Sequence, residues 1–257
     1  MSFIPAVLIV EGASVISLAY FFWKAEPDPN PGLDVWGQEY SEISEGISQA
    51  TVPPVESWQY WLVKRTFDVV FSLIMLALFV VPGCLIAALI AVTSEGPVFY
   101  REMRIGRYGK LFQIWKFRSM FIKTARQTET LNHADGMHWR LLKCAEDPRI
   151  TRIGKFLRKW SLDEIPQLLN VLLGNMSLVG PRPIVEAEIT VYGEALVDYL
   201  AATPGLSGLW QVSGRSNIGY AQRAKLDARY VRDWTLKGDL QILLRTIPVV
   251  LKRIGAQ

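Results

Sequence analysis

The 25-residue apolar run from Val69 to Thr93 constrains this chain more than any other stretch. It is long enough to cross a bilayer as a helix, and crossing is the first reading to weigh. Two features point elsewhere. Pro82-Gly83 stands in the middle of the run, where a proline bends a helix. Basic residues also flank both ends, with Lys64 and Arg65 before and Arg101, Arg104, Arg107 and Lys110 after. Positive charge keeps a flank on the cytoplasmic side, and here it pulls on both. A bent helix that enters and leaves on one face satisfies both features. Its backbone at depth then needs cover from the folded domain. On the residues alone, spanning and re-entry both stay open.

Residues 3–23 form another apolar stretch, interrupted by Glu11 and a few serines, and read as a retained membrane helix or an interfacial one. Residues 25–57 are rich in Pro, Gly, Ser and acid, as in a flexible linker. Charge follows this division. Residues 1–63 hold one basic and eight acidic residues; residues 64–257 hold 27 basic and 16 acidic ones. A basic domain beside apolar segments suits an anionic membrane surface and anionic substrates. No nucleic-acid recognition motif accompanies it. Mean hydropathy is +0.19, high for a soluble enzyme. Cys84 and Cys144 suggest neither a disulfide framework nor a metal site, and Cys84, within the apolar run, is expected to be a buried thiol.

The expected organisation is an N-terminal membrane helix (1–24), an acidic linker (25–60), a membrane segment (61–95) and a catalytic domain (96–257). Within that domain, Val98–Arg104 and Lys110–Lys116 flank Gly106-Arg107-Tyr108-Gly109, the pattern of a hairpin with a glycine turn. Its second arm leads into Lys116-Phe117-Arg118, a basic edge suited either to water or to a diphosphate. Residues 119–140 read as polar and helical, with a loop at Asn132–Gly136; His133 and His138 lack metal-ligand spacing and read as surface residues. A short basic helix follows over Thr151–Lys159. Residues 184–202 and Ile218–Trp234 read as helices. Leu240–Ile254, apolar with Arg245, Lys252 and Arg253, suits either the membrane interface or the domain core. The fold class is therefore mainly α with a small β-hairpin, anchored to a membrane.

Between these helices lies Trp160–Arg182. Asp163 and Glu164 sit where a helix should start, with Ser161 placed to cap it and Pro166 confined to the first turn. Ser-Leu-Asp-Glu also fits an ordinary capping box. Arg152, Lys155, Arg158 and Lys159 precede the acidic pair and Arg182 follows it. Paired carboxylates among cations suggest chemistry on a phosphate. Carboxylate attack on phosphorus divides one displacement into two, provided that a hard cation and arginines neutralise the diphosphate.

Several segments, in this order, resemble the bacterial sugar transferase family, the monotopic phosphoglycosyl transferases. They are Phe99-Tyr100-Arg101, Lys116–Met120, Asp147–Thr151, Leu162–Leu168, Gly180–Pro183 and Pro204–Arg215. The resemblance covers roughly residues 60–255. It implies transfer of a hexose-1-phosphate from a UDP-sugar to undecaprenyl phosphate at the cytoplasmic face of the bacterial inner membrane, with Mg²⁺ as cofactor. This step begins an exopolysaccharide, capsule or O-antigen unit. The resemblance makes Asp163 the nucleophile and associates Glu164 with the metal. Arg158 and Arg182 match basic residues around the pair, and Asp239 matches a further functional acid. Lys116, Arg118 and Arg215 join them as candidate substrate-binding residues; Trp210 and Arg215 suit either contact with a nucleotide or, in turn, a buried core and a solvated surface. The family's re-entrant helix breaks at Ser-Pro, whereas this chain has Val81-Pro82. Interfacial amphipathic helices complete the expected fold. A metal-dependent phosphohydrolase and a non-catalytic membrane scaffold are the rivals. The sugar, with glucose and galactose first in line, and homo-oligomerisation are left open.

Overall fold

The computed structural model describes residues 58–121, 149–214 and 218–252. The N-terminal helix, most of the acidic linker, the segment carrying His133, His138 and Cys144, and Arg215 lie outside the described residues.

Helix α1 (Trp58–Thr93) runs unbroken with Pro82 inside it. Its 36 residues would extend about 54 Å if straight. Both of its ends are fastened to the same domain. Near the start, Lys64 donates to the Val179 carbonyl at 3.0 Å and pairs with Asp239 at 2.5 Å. Arg65 donates to the Val171 and Leu172 carbonyls, and Asp68 accepts from the Leu178 amide at 3.1 Å. Near the end, Ile90 is buried with Phe117 and Leu157. Arg118 donates to the Ser94 and Glu95 carbonyls at 2.6 and 2.7 Å, closing off the helix. Between these fastenings Val70, Ile74, Leu78, Val81 and Leu85 are exposed. Cys84 lies on the same uncovered surface, so the expectation of a buried thiol fails. The apolar run around it is covered only near its two ends.

The hairpin is as the alternation predicts. Strands β1 (Phe99–Ile105) and β2 (Leu111–Phe117) pair antiparallel, from Phe99↔Phe117 to Ile105↔Leu111. Tyr108 and Gly109 take positive φ of 57° and 71° to close the turn. Side chains alternate along β2. Phe112 and Ile114 enter the main core, while Phe117 packs against Phe99 and the end of α1. Lys116, two residues on from Ile114, therefore leaves the strand on the face of the main core.

Helix α2 (Arg152–Lys159) is capped by Thr151, whose hydroxyl accepts from the Gly154 amide at 2.8 Å. A 3-10 turn (Leu162–Glu164) and helix α3 (Gln167–Leu173) follow. Asn170 on α3 binds the edge of β2, accepting from the Trp115 amide and donating to the Gln113 carbonyl. A second small sheet pairs β3 (Ser177–Val179) parallel to β4 (Gly205–Ser207). The sequence reading contains no such pairing. Where it expects one helix over 184–202, the chain makes a 3-10 turn, α4 (Ile189–Tyr192) and α5 (Ala195–Ala201), divided at Gly193 with φ 50°. Helices α6 (Leu209–Val212), α7 (Tyr220–Arg232) and α8 (Leu236–Leu251) complete the described domain. On α8, Asp239 and Ile242 face inward, whereas Leu236, Leu240, Leu244, Ile247 and Leu251 form an uncovered stripe.

Candidate active site

The acidic pair is displayed on a turn rather than at a capped helix start. Ser161 takes a left-handed conformation, φ 54°, and its hydroxyl makes no capping bond. The capping-box reading is thereby corrected. The left-handed residue ends α2 and redirects the chain, so Asp163 and Glu164 lie on the 3-10 turn ahead of α3. Asp163 is 8% exposed. Burial, and then the charge of Glu164, hold its carboxyl above the usual range; Lys116 and Arg158 pull the other way.

Strand alternation brings Lys116 to this pair, where its ammonium meets Glu164 at 2.9 Å. The Arg158 Nε donates to the Ser119 hydroxyl at 2.9 Å, fixing the guanidinium beside α2. Arg182 arrives from the loop after β3. Desolvation opposes its charge, but Glu164, Glu188 and Glu102 outweigh that effect and its pKa is raised. Its guanidinium lies 5.9 Å from the Trp210 ring centre. Lys116, Glu164 and Arg182 line one pocket together with Arg104, Gln167 and Gln211. The structure thus gathers Asp163, Glu164, Lys116, Arg158 and Arg182 around one place.

Two other candidates are employed elsewhere. Arg118 is buried and donates to carbonyls at the end of α1. Asp239 is buried between Lys64, the Tyr230 hydroxyl at 2.7 Å and the Trp234 indole at 3.2 Å. Both act as fastenings of α1, away from the pocket lining. Four residues beyond the sequence candidates belong to the site. Arg104, Gln167 and Gln211 line it. Asp227, wholly buried, accepts from the Tyr192 hydroxyl at 2.9 Å, and Arg182 and Arg223 favour its charged form. Burial pushes Asp227 up to about 8. Gln167 lies three and four residues after the acidic pair, the helical spacing that brings side chains together. That spacing was available in the sequence.

No cluster of three His, Cys, Asp or Glu suited to a metal occurs among the described residues. The donor set nevertheless fits Mg²⁺ shared with a substrate. Such ions are commonly held by one or two carboxylates plus substrate phosphates, with water completing the shell. Glu164 is the part-exposed carboxylate placed for that role.

A partly buried carboxylate pair ringed by lysine and arginine defines a class of site equipped for phosphate chemistry. Comparison with known proteins gives the family. The model of the family described as bacterial sugar transferase matches residues 59–253, and the chain belongs to that family. It is 47% identical over 198 residues to undecaprenyl-phosphate galactose phosphotransferase of Salmonella typhimurium, covering 75% of this chain and 41% of that one. It is 46% identical over 199 residues to exopolysaccharide production protein ExoY of Rhizobium meliloti, covering 76% and 88%. It is 36% identical over 194 residues to UDP-glucose:undecaprenyl-phosphate glucose-1-phosphate transferase of Escherichia coli, covering 72% and 39%. The chain thus matches less than half the length of the first and third of these relatives and most of the second.

Proposed function

We propose that this protein transfers a hexose-1-phosphate from a UDP-sugar to undecaprenyl phosphate, releasing UMP, at the start of an exopolysaccharide, capsule or O-antigen unit. The observation that carries the reading is the buried Asp163 beside the Glu164–Lys116 pair, among Arg158 and Arg182. The relatives' names support the reaction, and they include both galactose and glucose. They give no support to a phosphohydrolase.

In the proposed mechanism, an Asp163 carboxylate oxygen bonds to the sugar-bearing phosphorus. The bond from that phosphorus to the bridging oxygen breaks, and UMP leaves with the electron pair. The enzyme then carries an aspartyl hexose phosphate. An oxygen of the lipid phosphate attacks the same phosphorus, and Asp163 departs as carboxylate. Lys116 and Arg182 face the transferring oxygens, while Arg158 favours the ionised form of Asp163. Bound Mg²⁺, held by Glu164 and the donor's own oxygens, would neutralise the diphosphate.

The geometry of α1 supports the membrane reading. A spanning helix carries its ends to opposite sides of a bilayer, but both ends of α1 hold one domain. Re-entry from the cytoplasmic face of the inner membrane accommodates this, with the stripe on α8 lying in the interface. The bilayer is then a partner in its own right.

The test mixes enzyme, Mg²⁺ and UDP-sugar without lipid, then quenches. About one UMP per active site is expected, with a hexose phosphate on the peptide holding Asp163. Asp163→Asn should give neither. No burst and no adduct, in a preparation active once lipid is added, would refute the covalent route. A preparation inactive on every UDP-sugar would refute the transferase reading.

A further inference from the structure

Buried polar groups without partners are few in folded proteins, and each calls for a reason. Among the described residues, seven buried side-chain nitrogen or oxygen atoms have no hydrogen-bond partner. Three of the seven belong to residues lining the candidate active site: Arg104 Nε, Gln167 Nε2 and Gln211 Oε1. Gln167 is 4% exposed, so water at the outer surface does not satisfy it.

The chemistry of the three atoms differs. Arg104 Nε and Gln167 Nε2 are donors and suit oxygens of any kind. Gln211 Oε1 is an acceptor, and its orientation is fixed. The Gln211 amide nitrogen donates to the Leu206 carbonyl at 3.3 Å, and a carbonyl can only accept. The oxygen is therefore the end left over. A Cβ at Gly208 would lie 2.5 Å from the Gly180 carbonyl oxygen and 3.1 Å from the Gln211 oxygen, so the glycine leaves both uncrowded. Phosphate diesters offer no donor at neutral pH. A buried acceptor among the cations of this pocket therefore calls for a hydroxyl or an N–H on the ligand. In a nucleotide sugar, hydroxyl-bearing rings adjoin the diphosphate on both sides, and the base lies one ring further away. A hydroxyl is donor and acceptor at once, matching an amide oxygen and an amide nitrogen in one pocket.

We propose that Gln211 and Gln167 read ring hydroxyls of the donor next to its diphosphate, which makes them recognition residues rather than structural ones. The inference rests on the UDP-sugar reading above. A site built to bond a hydroxyl penalises the analogue that lacks it, here by at least about tenfold. Removing the protein partner should erase that penalty.

The experiment uses the full chain in lipid nanodiscs, with Asp163→Asn as the parent to prevent turnover. Affinities are measured for UDP-glucose and UDP-galactose, for their single-deoxy analogues, and for UMP and dUMP. Gln211→Met keeps the length and apolar stem but removes the acceptor. The expected result is a deoxy penalty of about tenfold or more in the parent that falls to about twofold in the variant. Loss of the penalty in the hexose series places the contact on the sugar; loss between UMP and dUMP places it on the ribose. Gln167→Met supplies an independent measurement if Gln211→Met does not fold. Unchanged penalties in both series would overturn the proposal. So would equal weakening of UMP, dUMP and 3′-deoxyuridine monophosphate, measured alongside them, which would mark a contact to the base. A parent that binds no UDP-sugar and no UMP overturns the donor reading, and this inference with it.

Discussion

Gly205→Ala should disable the site through a backbone that carries no catalytic group. Gly205 and Gly180 cross where β3 and β4 pair. A Cβ at position 205 would lie 2.0 Å from the Gly180 backbone nitrogen, and 2.6 Å from both the Gly180 Cα and the Ser207 carbonyl oxygen. Such contacts settle near 3.5–4.0 Å, so the strands must part by about 1.5 Å. Neighbouring atoms here are backbone, so no side chain can swing aside. The bonds at risk are Gly180 N–H to Ser207 at 2.9 Å and Gly205 N–H to Pro181 at 2.7 Å. Losing two buried bonds costs about 2–6 kcal/mol when the groups are left unsatisfied. For a domain of this size, that lowers the melting temperature by roughly 4–24 °C. Arg182 stands two residues beyond Gly180, and a 1 Å misplacement at a reacting centre can cost about a hundredfold in rate. The assay pairs thermal unfolding with UMP release per active site at saturating UDP-sugar. Gly219→Ala is the control, because a Cβ there meets nothing within 4 Å. Wild-type melting and turnover in Gly205→Ala would refute this account of how Arg182 is held.

Other perturbations test the electrostatics and the topology. Asp163 must be ionised to attack, and Lys116 is among the charges that lower its raised pKa; Lys116→Met should move the acidic limb of the rate profile to higher pH, and an unmoved limb would contradict the pairing. Asp227 titrates near 8 rather than 3.8, so the folded state retains a proton that the unfolded chain has lost, and stability should fall as pH rises through that window. Asp227→Asn should flatten the fall, which unfolding curves at pH 6 and 8.5 can measure; an equal fall in the variant would exclude Asp227 as its source. In a background lacking Cys84 and Cys144, Leu62→Cys and Glu95→Cys should both escape a periplasmic thiol reagent. Labelling of only one would mean that α1 spans the bilayer.

Legibility in the sequence depended on how local each cause was. The hairpin was readable because alternation and a glycine turn lie within about twenty residues, and α2 because Thr151 caps it. The β3–β4 pairing was not. Each strand has three residues, too few for periodicity, and what lets them meet is the close approach of two distant glycines. The acidic pair and its cations were visible as charge clustered about one turn. Arg118 and Asp239 looked alike in that respect. Whether a buried charge meets a substrate, a backbone carbonyl or another side chain depends on tertiary contacts, and these two meet protein groups at the ends of α1. Cys84 shows the converse: an apolar neighbourhood in sequence implied burial, but the helix leaves that surface uncovered.

Those fastenings also explain why a long apolar helix belongs beside this site. At its start, Lys64 binds the Val179 carbonyl, which also accepts from Tyr230, and Val179 leads through Gly180-Pro181 into Arg182. At its end, Arg118 grips Ser94 and Glu95, and the next residue, Ser119, holds Arg158. Leu162, adjacent to Asp163, packs into the cluster formed with Ile86, Ala87 and Ile90 of α1. The two ends of the helix thus reach the arginines on either side of the nucleophile, and its last turns support the turn that carries it. Under the re-entrant reading, a lipid phosphate travelling along α1 meets the protein where Asp163 is already held. Under the proposed function, the water-soluble donor enters the cationic pocket that Lys116, Glu164 and Arg182 line, next to Asp163 in sequence. Under that proposal, one nucleophile serves both in succession, as the covalent route requires and direct displacement does not.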